Sequence, residues 1–204
     1  MLCVCTANMC RSPLLEVLLG SALRARGVDA HVHSAGTMAD GRGAVPEMVD
    51  LAAERGLDLR AHVGRRLDPD LVRGADLVLP LAREHLREVV VTSPEAFSRT
   101  FTPKELVRRA SAAAPRRPDE ELAAYLARLH EGRTAQELLR SDPADDVADP
   151  IGGPRSGYAR TATELDGLTA SIAVLLAPVR GTTAGPVFPD DSAPAPSARP
   201  FQEM

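Results

Sequence analysis

Aromatic side chains are scarce in this chain. Among 204 residues there are two tyrosines, four phenylalanines and no tryptophan: Phe97, Phe101, Tyr125, Tyr158, Phe188 and Phe201. A core must therefore be built from Leu, Val and Ala, and a pocket has few aromatic walls to draw on. Cysteine is also rare and confined: Cys3, Cys5 and Cys10 all fall within the first ten residues. That excludes a disulfide framework spread over the chain. No further Cys or His stands at zinc-finger spacing, so no metal is expected. Positive charge is not in surplus. Lys+Arg is 24 against 28 Asp+Glu, a net charge of -4, with Lys104 as the one lysine. A general nucleic-acid binder needs a basic surplus for phosphates, so that class is set aside. No run approaches the ~18 to 20 apolar residues of a membrane span. The start, Met1-Leu2-Cys3-Val4-Cys5, lacks the charged region of a signal peptide. The expectation is a soluble cytoplasmic protein.

What is present is a chain with 44% apolar residues, long enough for one domain with a sizeable core. Residues 1–5 read as a buried strand. Ser12-Pro13 predicts a helix start, Ser as cap and Pro in the first turn, with apolar residues at helical spacing to about Arg26. Val28–Ala35 predicts a second strand, Pro46–Arg55 a helix, Asp76–Leu79 a third strand and Ala82–Val91 a helix. A short fourth strand is expected at Arg99–Thr102. Helices are expected at Leu106–Ala113, Glu120–His130 and Arg155–Leu176. Strand alternating with helix argues for an α/β fold with a mostly parallel sheet. Residues 114–145 read as an insertion with one or two surface helices. Residues 178–204 hold six prolines without periodicity and read as a disordered tail beyond a 1–177 domain.

The segment richest in chemistry is Cys5-Thr6-Ala7-Asn8-Met9-Cys10-Arg11-Ser12-Pro13, between the first strand and the first helix. In an open α/β sheet ligands sit at the carboxyl ends of strands. A loop there can turn its N–H groups inward, and the helix behind it adds a positive dipole end. Such a cradle favours a phosphate or another tetrahedral oxyanion. Arg11 can close it, because its planar fork pairs two oxygens at once. Cys5 in the same field is expected to lose its proton readily, with the Ser12 hydroxyl available to the thiolate. Taken blandly, Cys5 is a small core residue and Arg11 a solvated charge. Their place between a strand and a Ser-Pro helix start favours the chemical reading.

These residues resemble the loop V-C-x-G-N-x-C-R-S-P of the low-molecular-weight protein tyrosine phosphatases, in their bacterial type. The resemblance continues in Ser34-Ala35-Gly36-Thr37, in residues 52–58 with His62 and Arg65-Arg66-Leu67, in residues 75–79 with Arg83-Glu84-His85, and in Asp145-Asp146-Val147-Ala148-Asp149-Pro150. It spans about residues 1–177. It implies a flavodoxin-like three-layer sandwich around a central, mostly parallel four-stranded sheet. It implies a phosphomonoester hydrolase acting through a phosphocysteine on Cys5, with Arg11 binding the oxyanion and Asp149 as acid and then base. Thr6, Ala7, Asn8, Met9, Cys10 and Ser12 would form the phosphate cradle, with Ile151 beside the substrate. Asn8, a residue type that tolerates left-handed backbone, would hold the loop with help from Ser34. No metal or cofactor is needed, since Arg11 and the amides supply the charge. The partner implied is a protein carrying phosphotyrosine.

Departures from the family pattern bear on the substrate. Where phosphotyrosine enzymes place Tyr or Phe after Asp-Pro, this chain has Ile151-Gly152-Gly153. The Met38–Gly43 segment lacks the aromatic common there. Ala7 replaces a glycine, and Met9 stands where the family's bacterial arginine phosphatases carry Thr. Pro80 ends the third strand where a residue with an N–H is expected. A small phosphorylated metabolite is therefore an alternative substrate. Two further alternatives are a thiol-coupled arsenate reductase, although no cysteine follows Cys10, and a phosphate-binding regulator without turnover. Cys10 itself reads either as an inert core residue or as a redox partner of Cys5.

Overall fold

The computed structural model describes residues 1–134, 136, 138 and 143–177; the Pro-rich tail, 178–204, lies outside them. Three short strands form a parallel sheet: β1 (Leu2–Cys5), β2 (His33–Gly36) and β3 (Val78–Pro80), in the order β2-β1-β3. Leu2 is opposite His33 on one side and Val78 on the other. The helices are α1 (Arg11–Ala25), α2 (Pro46–Ala53), α3 (Pro69–Arg73), α4 (Arg83–Thr92), α5 (Pro103–Ala112), α6 (Leu122–His130) and α7 (Arg155–Leu176). Short 3-10 turns occupy Pro94–Arg99 and Pro143–Asp145.

Alternation along β1 sorts the layers. Cys3 and Cys5 pack into the larger core with Leu14, Leu19, Leu165 and Ile172 from α1 and α7. Leu2 and Val4 face the smaller core with Val72 and Val89 from α3 and α4. The result is helix, sheet, helix, with both sheet faces covered, which is why β1 and β3 are apolar throughout. The neighbours of β1 leave in opposite directions, so the crevice of this topology opens at the carboxyl end of β1, where Cys5 lies.

Several elements differ from the sequence expectation. The fourth strand at Arg99–Thr102 is reduced among the described residues to one parallel bridge, Thr100 to Val78, with the Phe101 N–H donating to the Val78 carbonyl at 3.1 Å. A 3-10 turn before it and Pro103 after it leave no room for a longer ladder. The second strand starts at His33 instead of Val28. Its first N–H reaches the Met1 carbonyl at 3.1 Å, and before it only the Met1 amine is bonded to this segment among the described residues, donating to the His31 carbonyl at 2.7 Å. Pro80 is tolerated because Leu81, one residue on, donates to Val4 at 2.8 Å and Pro80 need not. Within 114–145, α6 buries Tyr125, Leu126 and Leu129 in the main core and is not a surface helix. By contrast α7 runs Arg155–Leu176, with the bounds its long amphipathic pattern predicts.

Candidate active site

Cys5 ends β1 and is 2% exposed. The next five residues loop back to α1, which begins at Arg11, so Cys10 and not Ser12 occupies the cap position. Ser12 is not a cap because its hydroxyl is engaged elsewhere. It lies 2.9 Å from Cys5 Sγ and accepts from Asn8 Nδ2 at 2.9 Å. The first turn of α1 is left without a side-chain cap.

The loop is tied down through its oxygens. The carbonyls of Cys5, Thr6 and Met9 accept from the N–H groups of Thr37, Met38 and Val45 at 2.8–3.0 Å. His62 Nε2 donates to the Asn8 carbonyl at 2.7 Å. The N–H groups of residues 6 to 10, in contrast, donate to no other described residue. Asn8 has φ 54, the one non-glycine residue with positive φ among those described. Left-handed backbone of this kind turns successive amides into an anion-binding nest. Gly36 is required beside it: a Cβ there would stand 2.6 Å from the Thr6 carbonyl oxygen.

Asn8 uses its whole side chain. Nδ2 donates to Ser12 and, at 2.8 Å, to Ser34, while Oδ1 accepts the Arg65 N–H at 3.0 Å. Ser34 donates in turn to Glu16 at 2.5 Å. Since Ser12 accepts from Asn8, its own proton is free for Cys5, the Ala35 carbonyl being 3.4 Å away. A hydroxyl so held donates to a thiolate at Cys5 and supports it.

Arg11 is 3% exposed. Nη1 donates to the Val147 carbonyl at 3.1 Å and Nη2 to Asp149 Oδ2 at 2.6 Å, whereas Nε has no partner among the described residues. Asp149 Oδ1 accepts the Ile151 N–H at 3.1 Å. Arg11, at the end of the loop that Cys5 opens, thus meets Asp149 directly, while Cys5 meets Ser12 behind the loop. Burial, with Asp149 adding its charge, pushes the Cys10 thiol up, so it stays protonated. All three cysteines are free thiols. No cluster of three or more His, Cys, Asp or Glu suited to a metal occurs among the described residues. Met38 and Ile151 are both exposed; the Met38 N–H donates to the Thr6 carbonyl at 2.8 Å and the Ile151 N–H to Asp149 Oδ1 at 3.1 Å. Tyr125 and Tyr158 are buried; the Tyr158 hydroxyl accepts from Gly152 at 3.3 Å and supports the Asp-Pro loop from below. Neither offers a wall to a substrate ring.

Four supporting residues carried no legible role in the sequence: Glu16, His62, Arg65 and His85. His85, on α4, is 1% exposed and its Nε2 lies 2.9 Å from Thr6 Oγ1. Burial, with Arg11 nearby, holds it down to about 3 against an ordinary 6.5. The unfolded chain therefore takes up a proton near pH 6.5 that the folded chain refuses until about pH 3. Stability is present above pH 6.5 and is lost as pH falls through that window. Melting temperatures should drop between pH 7 and pH 5, and His85→Gln should flatten that slope. An unchanged slope in the variant would show that other groups cause it.

The chain is similar to known proteins in sequence and in fold. The family model described as low molecular weight phosphotyrosine protein phosphatase matches residues 1–131. The chain belongs to this family of cysteine-dependent phosphatases. Among its relatives is a protein-arginine-phosphatase of Bacillus subtilis (strain 168), 30% identical over 171 residues, which is 83% of this chain and 91% of that protein. The low molecular weight protein-tyrosine-phosphatase Etp of Escherichia coli (strain K12) is 36% identical over 106 residues, covering 49% of this chain and 66% of Etp. Among solved structures, a low molecular weight protein tyrosine phosphatase from T. tengcongensis superposes with a TM-score of 0.63 at 33% identity, covering 84% and 95% of the two chains. A cysteine-to-serine mutant of the YwlE arginine phosphatase, with a phosphorylated active-site serine, gives 0.65 at 28%, covering 88% and 96%.

Proposed function

We propose that this phosphatase hydrolyses protein phosphotyrosine in the cytoplasm, with residues 1–177 as the catalytic domain. The observation that carries the reading is the loop of residues 6 to 10, whose oxygens are all but used up while its N–H groups are free around Cys5. Those amides and the fork of Arg11 receive the three non-bridging oxygens of a phosphate. Cys5 Sγ attacks phosphorus and forms an S–P bond as the P–O bond to the leaving group breaks. Protonated Asp149 gives its proton to that departing oxygen. Asp149 then takes a proton from water, whose oxygen displaces Sγ and frees inorganic phosphate. The serine mutant of the YwlE relative, carrying phosphate on its active-site serine, supports attack from this position. The ion pair of Arg11 with Asp149 at 2.6 Å belongs to the empty site. A bound phosphate takes Arg11 for itself and frees the carboxyl to face the leaving group.

Tyrosine is favoured over arginine as the phosphorylated residue because Met9 is apolar where the arginine phosphatases of the family carry Thr. Met38 and Ile151, 68% and 49% exposed, are the apolar side chains available to contact the tyrosine ring. A panel of phosphotyrosine peptides, phosphoarginine and sugar phosphates tests the choice. Faster turnover of phosphoarginine or of a sugar phosphate would overturn it. Aliphatic walls offer contact without stacking, and aromatic pairs add about 0.5 to 1.5 kcal/mol beyond buried area. Ile151→Tyr should therefore lower KM for phosphotyrosine peptides about two- to tenfold with kcat nearly unchanged, because uniform binding is what it adds. Steady-state kinetics on one peptide decide this, and an unaltered KM would place the ring elsewhere.

A further inference from the structure

We propose that Asp145, clamped between Arg83 and Arg108, is a positioning residue that holds Asp149 over the cradle once substrate has taken Arg11. The inference rests on Asp149 being the acid, as read above. In the empty site the Asp149 side chain is 42% exposed, and its carboxylate is held by Arg11 Nη2 and the Ile151 N–H. A phosphate removes the first of these. The acid must then be aimed by its backbone.

The chain leading to it is fastened over four consecutive residues. Asp145, its side chain 5% exposed, accepts from Arg83 Nη2 at 3.0 Å and from Arg108 Nη2 at 3.0 Å. Asp146 Oδ1 accepts the Arg83 backbone N–H at 2.7 Å. It thereby caps α4 from a distant part of the chain, in place of Ala82, which has no capping side chain. The Val147 N–H donates to the Leu81 carbonyl at 2.8 Å, and the Ala148 carbonyl accepts from Thr161 at 3.3 Å. Arg83 stands at the start of α4, two residues before His85, which reaches Thr6 in the nucleophile's loop. The first turn of α4 therefore sets the acid's strap and the cradle in one frame.

Stability alone is a poor account of the clamp. Burying a carboxylate against a guanidinium costs solvation that largely cancels their attraction, and geometric definition is what such a pair returns. Definition matters here, because a displacement of about 1 Å at a catalytic group costs up to about a hundredfold in rate.

The test compares aryl phosphates of graded leaving-group basicity. Asp145→Asn, nearly isosteric, should lose about 10- to 100-fold in kcat on poor leaving groups and stay within about threefold on good ones, which need little acid. Its inhibition by inorganic phosphate should match the parent, and melting curves establish that it folds. Added to Asp149→Ala, it should cost nothing further. Arg83→Lys, which keeps the charge, should recover part of what Arg83→Met loses. A loss equal across leaving groups, or a double variant whose loss is the product of the two singles, overturns the positioning role. A parental Asp145→Asn beside a steep Asp149→Ala overturns it alone. A flat Asp149→Ala overturns the acid assignment and this inference with it.

Discussion

Cys5→Ser is expected to abolish turnover of aryl phosphates while leaving phosphate binding largely intact. A hydroxyl has no accessible anion near neutral pH, and a phosphoserine, once formed, is a poor electrophile beside a phosphocysteine. Either fate stops the cycle, so activity should fall by at least about four orders of magnitude, the scale of losing a nucleophile that works as a unit with its partners. Binding survives because the cradle is not made by the sulfur. The amides of residues 6 to 10, the Arg11 fork and the first turn of α1 all remain, and Ser12 lies close enough to bond to a serine as it does to Cys5 at 2.9 Å. Titration calorimetry with phosphate, together with an aryl phosphate assay, separates the two effects. Residual activity above about 1% would show that another group attacks. Loss of phosphate binding would show that the sulfur shapes the loop.

Asp149→Ala should produce the next largest effect, and one that depends on the substrate. General acid help is worth about 10² to 10⁴, most of it spent on leaving groups too basic to depart unaided. Alkyl-like and phenyl esters should lose near the upper figure, and strongly activated esters far less. The same variant removes the partner of Arg11 at 2.6 Å. The resting competition for the guanidinium disappears, so inorganic phosphate should bind more tightly to the variant than to the parent. A uniform loss across leaving groups would point to Asp145 or Asp146 as the acid. Their contacts argue against it: Asp145 is committed to Arg83 and Arg108, and Asp146 to the Arg83 N–H.

The chain shows which features local sequence carries. The cradle was legible because its parts are sequential. Cys5 to Ser12 is one strand end, one loop and one helix start, and the types in it (thiol, left-handed Asn, guanidinium, hydroxyl) have few joint uses other than holding an oxyanion. The last helix was legible with its bounds because 22 residues repeat one amphipathic pattern. The strands were harder, since each has only three or four residues and alternation cannot be told from a buried run at that length. Their ends are decided by which neighbour is present to pair: β1 faces β2 over Leu2 to Cys5, whereas Thr100 bridges to Val78 alone among the described residues.

By itself, then, the sequence carried the proposed chemistry of the loop, with Cys5 and Arg11 as its candidates, and the left-handed Asn8 that shapes it. Tertiary structure decided which contacts residues far along the chain make with the loop. Asp149 meets Arg11 across 138 residues and His85 meets Thr6 across 79. Tyr125 and Tyr158 turn inward, whereas Met38 and Ile151 stay exposed. The physical reason is the parallel sheet. Each of its crossovers returns the chain to the same edge, so residues remote in sequence converge where β1 and β3 end. Which side chains arrive there depends on how the helices pack on both faces, and no local pattern encodes that.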